Sequence, residues 1–208
     1  FHDPLTNLPN RTLLQNRLDH AIKTAQHDGV QIAILCIDLD RFKEVNDTLG
    51  HHAGDLLLIE FSRRMAGLLE PGDVLGRFAG DEFVLTGSRS DVDVLEDFVR
   101  RCTEAALAPI VLDGLQVVVA VSAGIAWRDG DVAAAEMMRR ADVAMYHAKG
   151  QHLGHAVHGA DIDRRTPARL SLLTDLRTAI QRDEIQLHFQ PEIEVATGRV
   201  RGVEALAR

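Results

Sequence analysis

The chain has 208 residues, 46% of them hydrophobic, and carries a formal net charge of −8 at pH 7. This length and composition predict a globular protein with one well-buried core and part of a second. The acidic balance and the lack of long Lys/Arg runs argue against nucleic-acid binding, which depends on clustered cations. No apolar run reaches the roughly 20 residues of a membrane-spanning helix, so we expect no direct membrane contact by this chain.

The cysteines and the first residue indicate the cellular setting. Cys36 and Cys102 lie in apolar runs without the CxxC spacing of a zinc site, which is typical of buried thiols in a reducing cytoplasm. The chain begins at Phe1 without a methionine and shows no signal peptide. We therefore expect a cytoplasmic segment of a longer protein, with room for a sensor or a membrane anchor upstream.

The first predicted elements are a helix and a central strand. In the turn-rich opening FHDPLTNLPNR, Asn10 is placed to cap a helix that continues to Ala25 and ends at Gly29. The apolar run QIAILCID, residues 31–38, is typical of a strand buried on both faces. This strand ends in Asp38, which we expect at the rim of a sheet.

Two helices and a hairpin are predicted next. Residues 42–49 form a short helix, and a Gly50-His51-His52 loop leads to a second helix with the apolar stripe Leu57, Phe61, Met65 and Leu68. Residues 74–78 and 83–86 are strand-like and flank the turn Ala79-Gly80-Asp81-Glu82. The hairpin would carry two adjacent carboxylates at its tip.

The following patterns complete one domain. Asp91 is placed to cap a helix that continues to Leu107, residues 115–126 are β-branched and strand-like, and residues 133–149 are helical. A weak final strand is predicted over residues 155–158. This order of elements predicts an α/β (α+β) sandwich, with a mostly antiparallel central sheet flanked by helices.

A second domain is predicted to begin at residue 161. Residues 161–168 are charged and contain Pro167, as expected of a linker. Residues 170–180 have the pattern of an amphipathic helix, and residues 184–191 begin a strand. The first domain would then occupy residues 1–160.

Three carboxylates are the main candidates for chemistry. If the central strand and the hairpin are neighbours, Asp38, Asp81 and Glu82 converge, and like charges at close range require a cation between them. Oxygen ligands favour Mg²⁺, which commonly takes its remaining ligands from substrate phosphates. The alternative is that these strand-end and turn acids are only solvated, because such motifs also arise by chance.

Other residues would recognise the phosphates and the base of a nucleotide. The chain has no Walker or dinucleotide glycine motif, so phosphate binding would fall to Lys43 and to the free N–H groups at the start of its helix. Asn46 and Asp55 offer an amide and a carboxylate that match a guanine edge. An exposed lysine and two helix-capping residues explain the same pattern equally well.

Several segments of the chain resemble the GGDEF domain family in their order and spacing. Besides the opening residues 3–11, they are DLDRFK at 38–43, Asn46-Asp47, Gly50-His51, Gly54-Asp55, RFAGDEF at 77–83, SAGIA at 122–126, and Ala141-Asp142 to Ala148-Lys149. After residue 170, a second set resembles the start of an EAL domain, the family of cyclic-di-GMP phosphodiesterases: Leu176-Arg177, Ala179, Phe189-Gln190-Pro191 and Glu204-Ala205-Leu206.

The resemblance implies a fold similar to nucleotidyl cyclases and polymerase palms. It implies synthesis of cyclic di-GMP and pyrophosphate from two GTP molecules with Mg²⁺ or Mn²⁺. By position, Asp38, the carbonyl of Leu39 and Asp81 would hold the metal, and Glu82 would be a second catalytic acid beside Asp81. Substrate contacts would come from Lys43, Asn46, His51, Asp55, Gly80 and Lys149. Because each domain would hold one GTP, catalysis implies a homodimer.

The chain departs from the family pattern at three places. Ala79 replaces the first glycine of the signature, which costs about 1 kcal/mol or more if the position needs a positive φ. The segment after Lys149 lacks the arginine usual in the family, and His152 or His155 would replace its phosphate contact only when protonated. Glu70 stands where many cyclases have an arginine that binds inhibitory product, so we expect no feedback at that position.

Two functions are compatible with these residues. The first is an active diguanylate cyclase, which the set Asp38, Asp81 and Glu82 favours. The second is a catalytically degenerate GTP-binding domain that regulates an adjoining EAL phosphodiesterase, which Ala79 and the missing arginine favour. In either case we expect no phosphodiesterase activity from this chain, because only the start of an EAL domain is present.

Overall fold

The structure is a computed structural model, and it describes most of the first 162 residues and part of the rest. The described residues are 1–28, 31–89, 92–112, 114–128, 132–159, 161–162, 180, 182, 184 and 186–207, without the side chains of 25–28, 92 and 207. The helix end predicted at Gly29, the Asp91 cap, most of the linker and all but the last residue of the helix predicted over 170–180 lie outside these ranges. Contacts divide the chain into two units, Phe1–Ile162 and Asp163–Arg208.

The first unit alternates helices and strands along the chain. Its elements are α1 (Arg11–Asp28), β1 (Gln31–Leu39), α2 (Phe42–Leu49), α3 (His51–Ala66), β2 (Val74–Ala79), β3 (Glu82–Arg89), α4 (Val92–Leu107), β4 (Ile110–Leu112), β5 (Leu115–Val117), β6 (Val121–Trp127), α5 (Ala134–Gln151) and β7 (His155–Val157). In the ranges described, no helix is both long enough and apolar enough to cross a membrane.

Five of these strands form one sheet, in the order β2-β3-β1-β6-β7. All neighbours are antiparallel except β6 and β7, which are parallel. Strand β1 lies in the centre and is buried from Ile32 to Leu39. The predicted α/β sandwich with a mostly antiparallel sheet is therefore confirmed.

The two faces of the sheet are covered by different helices. Alternate residues of β1, such as Leu35 and Ile37, pack with α3 and α4, where Phe61 and Phe98 are fully buried. The intervening residues, such as Cys36, pack with α1 and α5. Because side chains alternate along a strand, Asp38 is directed to the α1/α5 face.

Two sequence predictions in this unit are wrong. Gly50 alone, with a φ of 85°, separates α2 from α3, so His51 and His52 begin a helix and do not form a loop. Residues 115–126 are not one strand, because β5 pairs with β4, which the sequence did not indicate, whereas β6 pairs with β1. Between β5 and β6, at residues 118–120, the chain passes from pairing with β4 to pairing with β1. The β propensity of the local sequence does not indicate such a change.

The second unit contains one described antiparallel hairpin, formed by β8 (Leu187–Ile193) and β9 (Val200–Ala207). The strand predicted from residue 184 thus begins at Leu187. Gln190 lies directly opposite Glu204, so these two residues share one face of the hairpin. Apolar side chains of this unit are largely exposed, including Phe189 at 63%.

Candidate active site

The rim of the sheet brings three of the predicted site residues together. Asp38 lies opposite Glu82 of β3 in the strand register, and the backbone N–H of Leu39 donates to the carbonyl oxygen of Asp81 at 3.4 Å. Asp38 is 8% exposed. Burial raises the pKa of its carboxyl, Lys149 opposes that rise, and the charges of Asp81 and Asp40 add to it. The acids therefore form one cluster of unfavourable negative charge.

Lys149 supplies the cation that contacts this cluster. Its ammonium group, on the last turns of α5, donates a hydrogen bond to Oδ1 of Asp38. Burial alone would lower the pKa of Lys149, but the hydrogen bond and the charges of Asp38, Asp40 and Asp81 raise it. Lys149 is thus held charged beside the carboxylates of the rim.

Two further residues of this rim were not predicted as site residues. Ser122 donates from Oγ to Oδ1 of Asp40 at 2.8 Å. Asp142, on α5, acts on Glu82: burial raises the pKa of the Glu82 carboxyl, and Asp142 is the largest charged contributor to the same shift. Asp142 precedes Lys149 by seven residues, and this two-turn spacing placed both on one helix face. The spacing was the available sequence signal.

The hairpin turn answers the question that Ala79 raises. The residue that adopts the left-handed conformation is Gly80, with a φ of 50°, and Ala79 lies outside that region. Arg77 fixes the turn, because its Nε donates to the carbonyl oxygen of Gly80 at 2.8 Å and its guanidinium binds Asp3 at 3.0 Å. The backbone at Ala79 therefore imposes no requirement for glycine.

The residues of α2 and α3 that we expected to contact substrate do not join the cluster of charges at the rim. The amide of Asn46 lies against Gly54, where an added Cβ would stand 2.0 Å from Oδ1 of Asn46. The side chains of Lys43, His51 and Asp55 are exposed. In the ranges described, none of these three is hydrogen-bonded to the carboxylates of the rim, and their contact with substrate stays a prediction.

The donor chemistry of the rim fits a hard divalent cation. Among the residues described, no three His, Cys, Asp or Glu side chains form a metal-binding group. The expected ligands, however, are only two carboxylates, those of Asp38 and Asp81, and the main-chain carbonyl of Leu39. All three donors are oxygens, as Mg²⁺ and Mn²⁺ prefer, and Mg²⁺ usually completes its shell with water and phosphate.

Comparison with known proteins identifies the family. Residues 1–155 match the family model described as "Diguanylate cyclase, GGDEF domain". The chain belongs to the GGDEF domain family. The GGDEF resemblance of the sequence is thereby confirmed, whereas the assignment of residues 161–208 to an EAL domain stays a prediction.

Curated relatives match this GGDEF chain over its length. The bifunctional diguanylate cyclase/cyclic di-GMP phosphodiesterase MucR of Pseudomonas aeruginosa is 42% identical and is covered over 31% of its length by 100% of this chain. The cyclic di-GMP phosphodiesterase PdeR of Escherichia coli is 37% identical, with 99% of this chain matching 31% of that protein. The chain thus spans about a third of the length of these relatives.

Solved structures support the same family. The GGDEF domain of YfiN (TpbB) from Pseudomonas aeruginosa superimposes with a TM-score of 0.75 at 36% identity, covering 79% of this chain and 98% of that one. The GGDEF domain of DgcB from Caulobacter crescentus, in complex with c-di-GMP, gives a TM-score of 0.72 at 26% identity, over 76% and 93% of the chains.

The segment of residues 70–73, where the sequence departs from the family pattern at Glu70, has its carboxylates paired in this GGDEF domain. Asp73 forms a two-pronged ion pair with Arg89, at 2.7 and 2.8 Å, and its side chain is 1% exposed. Glu70 lies 3.3 Å from Arg101. Gly87 makes room for the buried pair, because a Cβ there would stand 1.9 Å from Oδ1 of Asp73. The absence of feedback at this position remains a prediction.

Proposed function

We propose that this GGDEF domain is a diguanylate cyclase that converts two GTP molecules into cyclic di-GMP and two pyrophosphates. The observation that supports the proposal most is the cluster at the rim of the sheet, where Asp38 and Glu82 are opposed in register and Lys149 contacts Asp38. A solvated set of surface acids would not be buried, and Asp38 is buried at 8% exposure.

In this proposal, Asp38, Asp81 and the carbonyl of Leu39 hold Mg²⁺ or Mn²⁺. The bound cation polarises the phosphates and offsets the charge that builds on them. Lys149 binds a phosphate oxygen through its ammonium group, and Lys43 does the same from the start of α2. Glu82 accepts the proton of the 3′-hydroxyl, because a carboxylate with a raised pKa is a stronger base than an ordinary one.

The base and the turn complete the proposed GTP site. Asn46 and Asp55 recognise the guanine edge, with His51 beside the substrate, and Gly80 allows close approach of the nucleotide because it has no side chain. Each domain binds one GTP, so two copies must face each other for the two transfers to occur. We place the reaction in the cytoplasm, where GTP is present, whether or not the whole protein is anchored in a membrane.

The proposal is tested by assaying the purified chain with GTP and Mg²⁺ and separating cyclic di-GMP by chromatography. We expect product from the unmodified chain, and at least about a hundredfold loss in Asp81→Ala and in Glu82→Gln. Asp93→Ala, a change of an exposed acid in the first turn of α4, is the matched control and should keep full activity. No product, or the same yield from Asp81→Ala, would overturn the proposal.

A second candidate is a GTP-binding domain that regulates an EAL phosphodiesterase. It is supported by the match of 99% of this chain to PdeR, which is named a phosphodiesterase, and by the missing arginine after Lys149. In that case Gln190 and Glu204, which are opposed in β8 and β9, would contact substrate and metal in a complete EAL domain. Phosphodiesterase activity of the whole protein that does not respond to GTP would exclude this candidate.

Binding of GTP can be measured separately from its conversion to cyclic di-GMP. Calorimetric titration with a non-hydrolysable GTP analogue should show micromolar affinity with Mg²⁺ and none with EDTA under both candidates. If the analogue does not bind in either condition, both are wrong, and the domain has neither role.

A further inference from the structure

A cavity opens on the α1/α5 face of the sheet, behind the hairpin. Its volume is about 260 Å³, and it is lined by apolar side chains of β2, β3 and α5 together with two carboxylates: Phe78, Val84, Met138, Met145, Glu82 and Asp142. This volume is slightly below the roughly 300–1,000 Å³ of sites for drug-sized ligands. Methionine side chains adapt to differently shaped ligands, so the cavity suits a compact organic molecule.

The charges around the cavity do not cancel. Among the residues described, neither Glu82 nor Asp142 has an ion-pair partner. Arg139 also lines the cavity and shares Glu136 with Arg140, so two carboxylates of the lining face one guanidinium group. Lys149 is bonded to Asp38.

We propose that the cavity binds a small organic cation with an apolar body, of the arylalkylammonium class. The apolar part would replace water against Phe78, Val84 and the two methionines, and the ammonium group would lie between the carboxylates of Glu82 and Asp142. A neutral or anionic molecule of the same shape would leave the two carboxylates unpaired. Charge complementarity therefore selects the cation.

Occupancy would have a consequence for catalysis, and this part rests on the proposed function. Glu82 lines the cavity and lies opposite Asp38 in the strand register, so an ammonium group bound to Glu82 would occupy the carboxylate that the reaction is proposed to use. The ligand would then inhibit cyclic di-GMP synthesis. The binding itself does not depend on the cyclase proposal.

Binding is tested on the 208-residue chain, without GTP, by ligand-observed NMR titration. Benzylammonium and benzyl alcohol are the probes, because they differ in charge and hardly in shape. We expect benzylammonium to bind saturably and at least about tenfold more tightly than the alcohol. Equal affinity for the two probes would overturn the proposal. So would the absence of saturable benzylammonium binding, including the case in which the chain binds Mg²⁺ but not the amine.

Variants locate the site. Asp142→Asn removes the charge of an exposed residue without changing its shape, and it should weaken the binding of benzylammonium by about fivefold to tenfold. Met138→Trp fills the cavity and should abolish binding of both probes. Glu96→Gln, the same loss of charge at an exposed position of α4, is the matched control and should leave binding unchanged. If Asp142→Asn binds benzylammonium with unaltered affinity, the proposed site is wrong. This result does not depend on whether Met138→Trp folds.

Discussion

The hairpins β2–β3 and β8–β9 have similar turns and reach opposite degrees of burial. Both have a turn glycine in the left-handed conformation, Gly80 at φ 50° and Gly198 at φ 67°. Yet Phe83 is fully buried and Phe189 is 63% exposed. The difference arises because β3 pairs with β1 and has helices on both faces, whereas β8 and β9 are a sheet of two strands. Local pattern makes a hairpin, and neighbouring elements bury it.

The largest contrast is expected from removing one aromatic ring in each hairpin. Phe83 packs against Phe61 with ring centroids 4.8 Å apart, so Phe83→Ala should lower the free energy of unfolding by about 3–5 kcal/mol. Phe189→Ala is the matched change at an exposed position and should stay within about 0.5 kcal/mol. Urea denaturation of both variants measures the difference. Comparable losses in the two would refute the contrast in burial.

A smaller effect is expected from the ion pair at the end of β3. Arg89→Met leaves the carboxylate of Asp73 buried without its partner, which should cost about 3 kcal/mol. Arg201→Met, on the exposed strand β9, should not change the free energy of unfolding measurably. The measurement is again urea denaturation, and a loss below about 1 kcal/mol for Arg89→Met would show that the pair contributes little.

Replacing either turn glycine by alanine should cost a similar amount of stability, but each replacement should affect a different unit. Gly80→Ala should destabilise the first unit by about 1 kcal/mol, because alanine is strained at positive φ. The cost is conformational, since an added Cβ would meet nothing within 4 Å. Gly198→Ala has the same local cost but should leave the unfolding transition of the first unit in place. Ala79→Gly should give no stabilisation, and a rise in unfolding temperature would contradict our account of the turn.

The smallest effect concerns pH. Because the folded protein raises the pKa of Glu82 above 4.5, it favours the protonated form. The stability contributed by that proton is fully present below pH 4.5 and is lost as pH rises through the folded pKa. Glu82→Gln should therefore be more stable than the unmodified chain at pH 7, by up to about 1 kcal/mol, with no such gain below pH 4.5.

The control for this pH effect is the other hairpin. Glu204→Gln removes an exposed carboxylate from β9, so its effect on unfolding should be the same at both pH values. Denaturant midpoints of the two variants, measured on either side of pH 4.5, provide the check. If Glu82→Gln stabilises the protein by the same amount below pH 4.5, the gain in stability arises from packing and not from the charge of Glu82.

The sequence predicted those parts of the fold and site that depend on neighbouring residues in the chain. The apolar run before Asp38 and the turn at Gly80 indicated a strand end and a hairpin without tertiary information. The strand β4 and the position of Asp142 beside Glu82 depend on contacts between distant segments, whereas the junction at Gly50 depends on the positive φ of that one residue. The seven-residue spacing indicates that Asp142 shares a helix face with Lys149, but only the placement of β3 beside that face brings Asp142 to Glu82.

The bare backbone of Gly54 restricts the order in which this domain can change over generations. Any side chain at position 54 would collide with the amide of Asn46, 2.0 Å from the added carbon. A lineage that first shortens residue 46 is then free to fill position 54, but the reverse order displaces Asn46 at once. Descendants that have abandoned the proposed guanine site should therefore have lost Asn46 before acquiring a side chain at position 54.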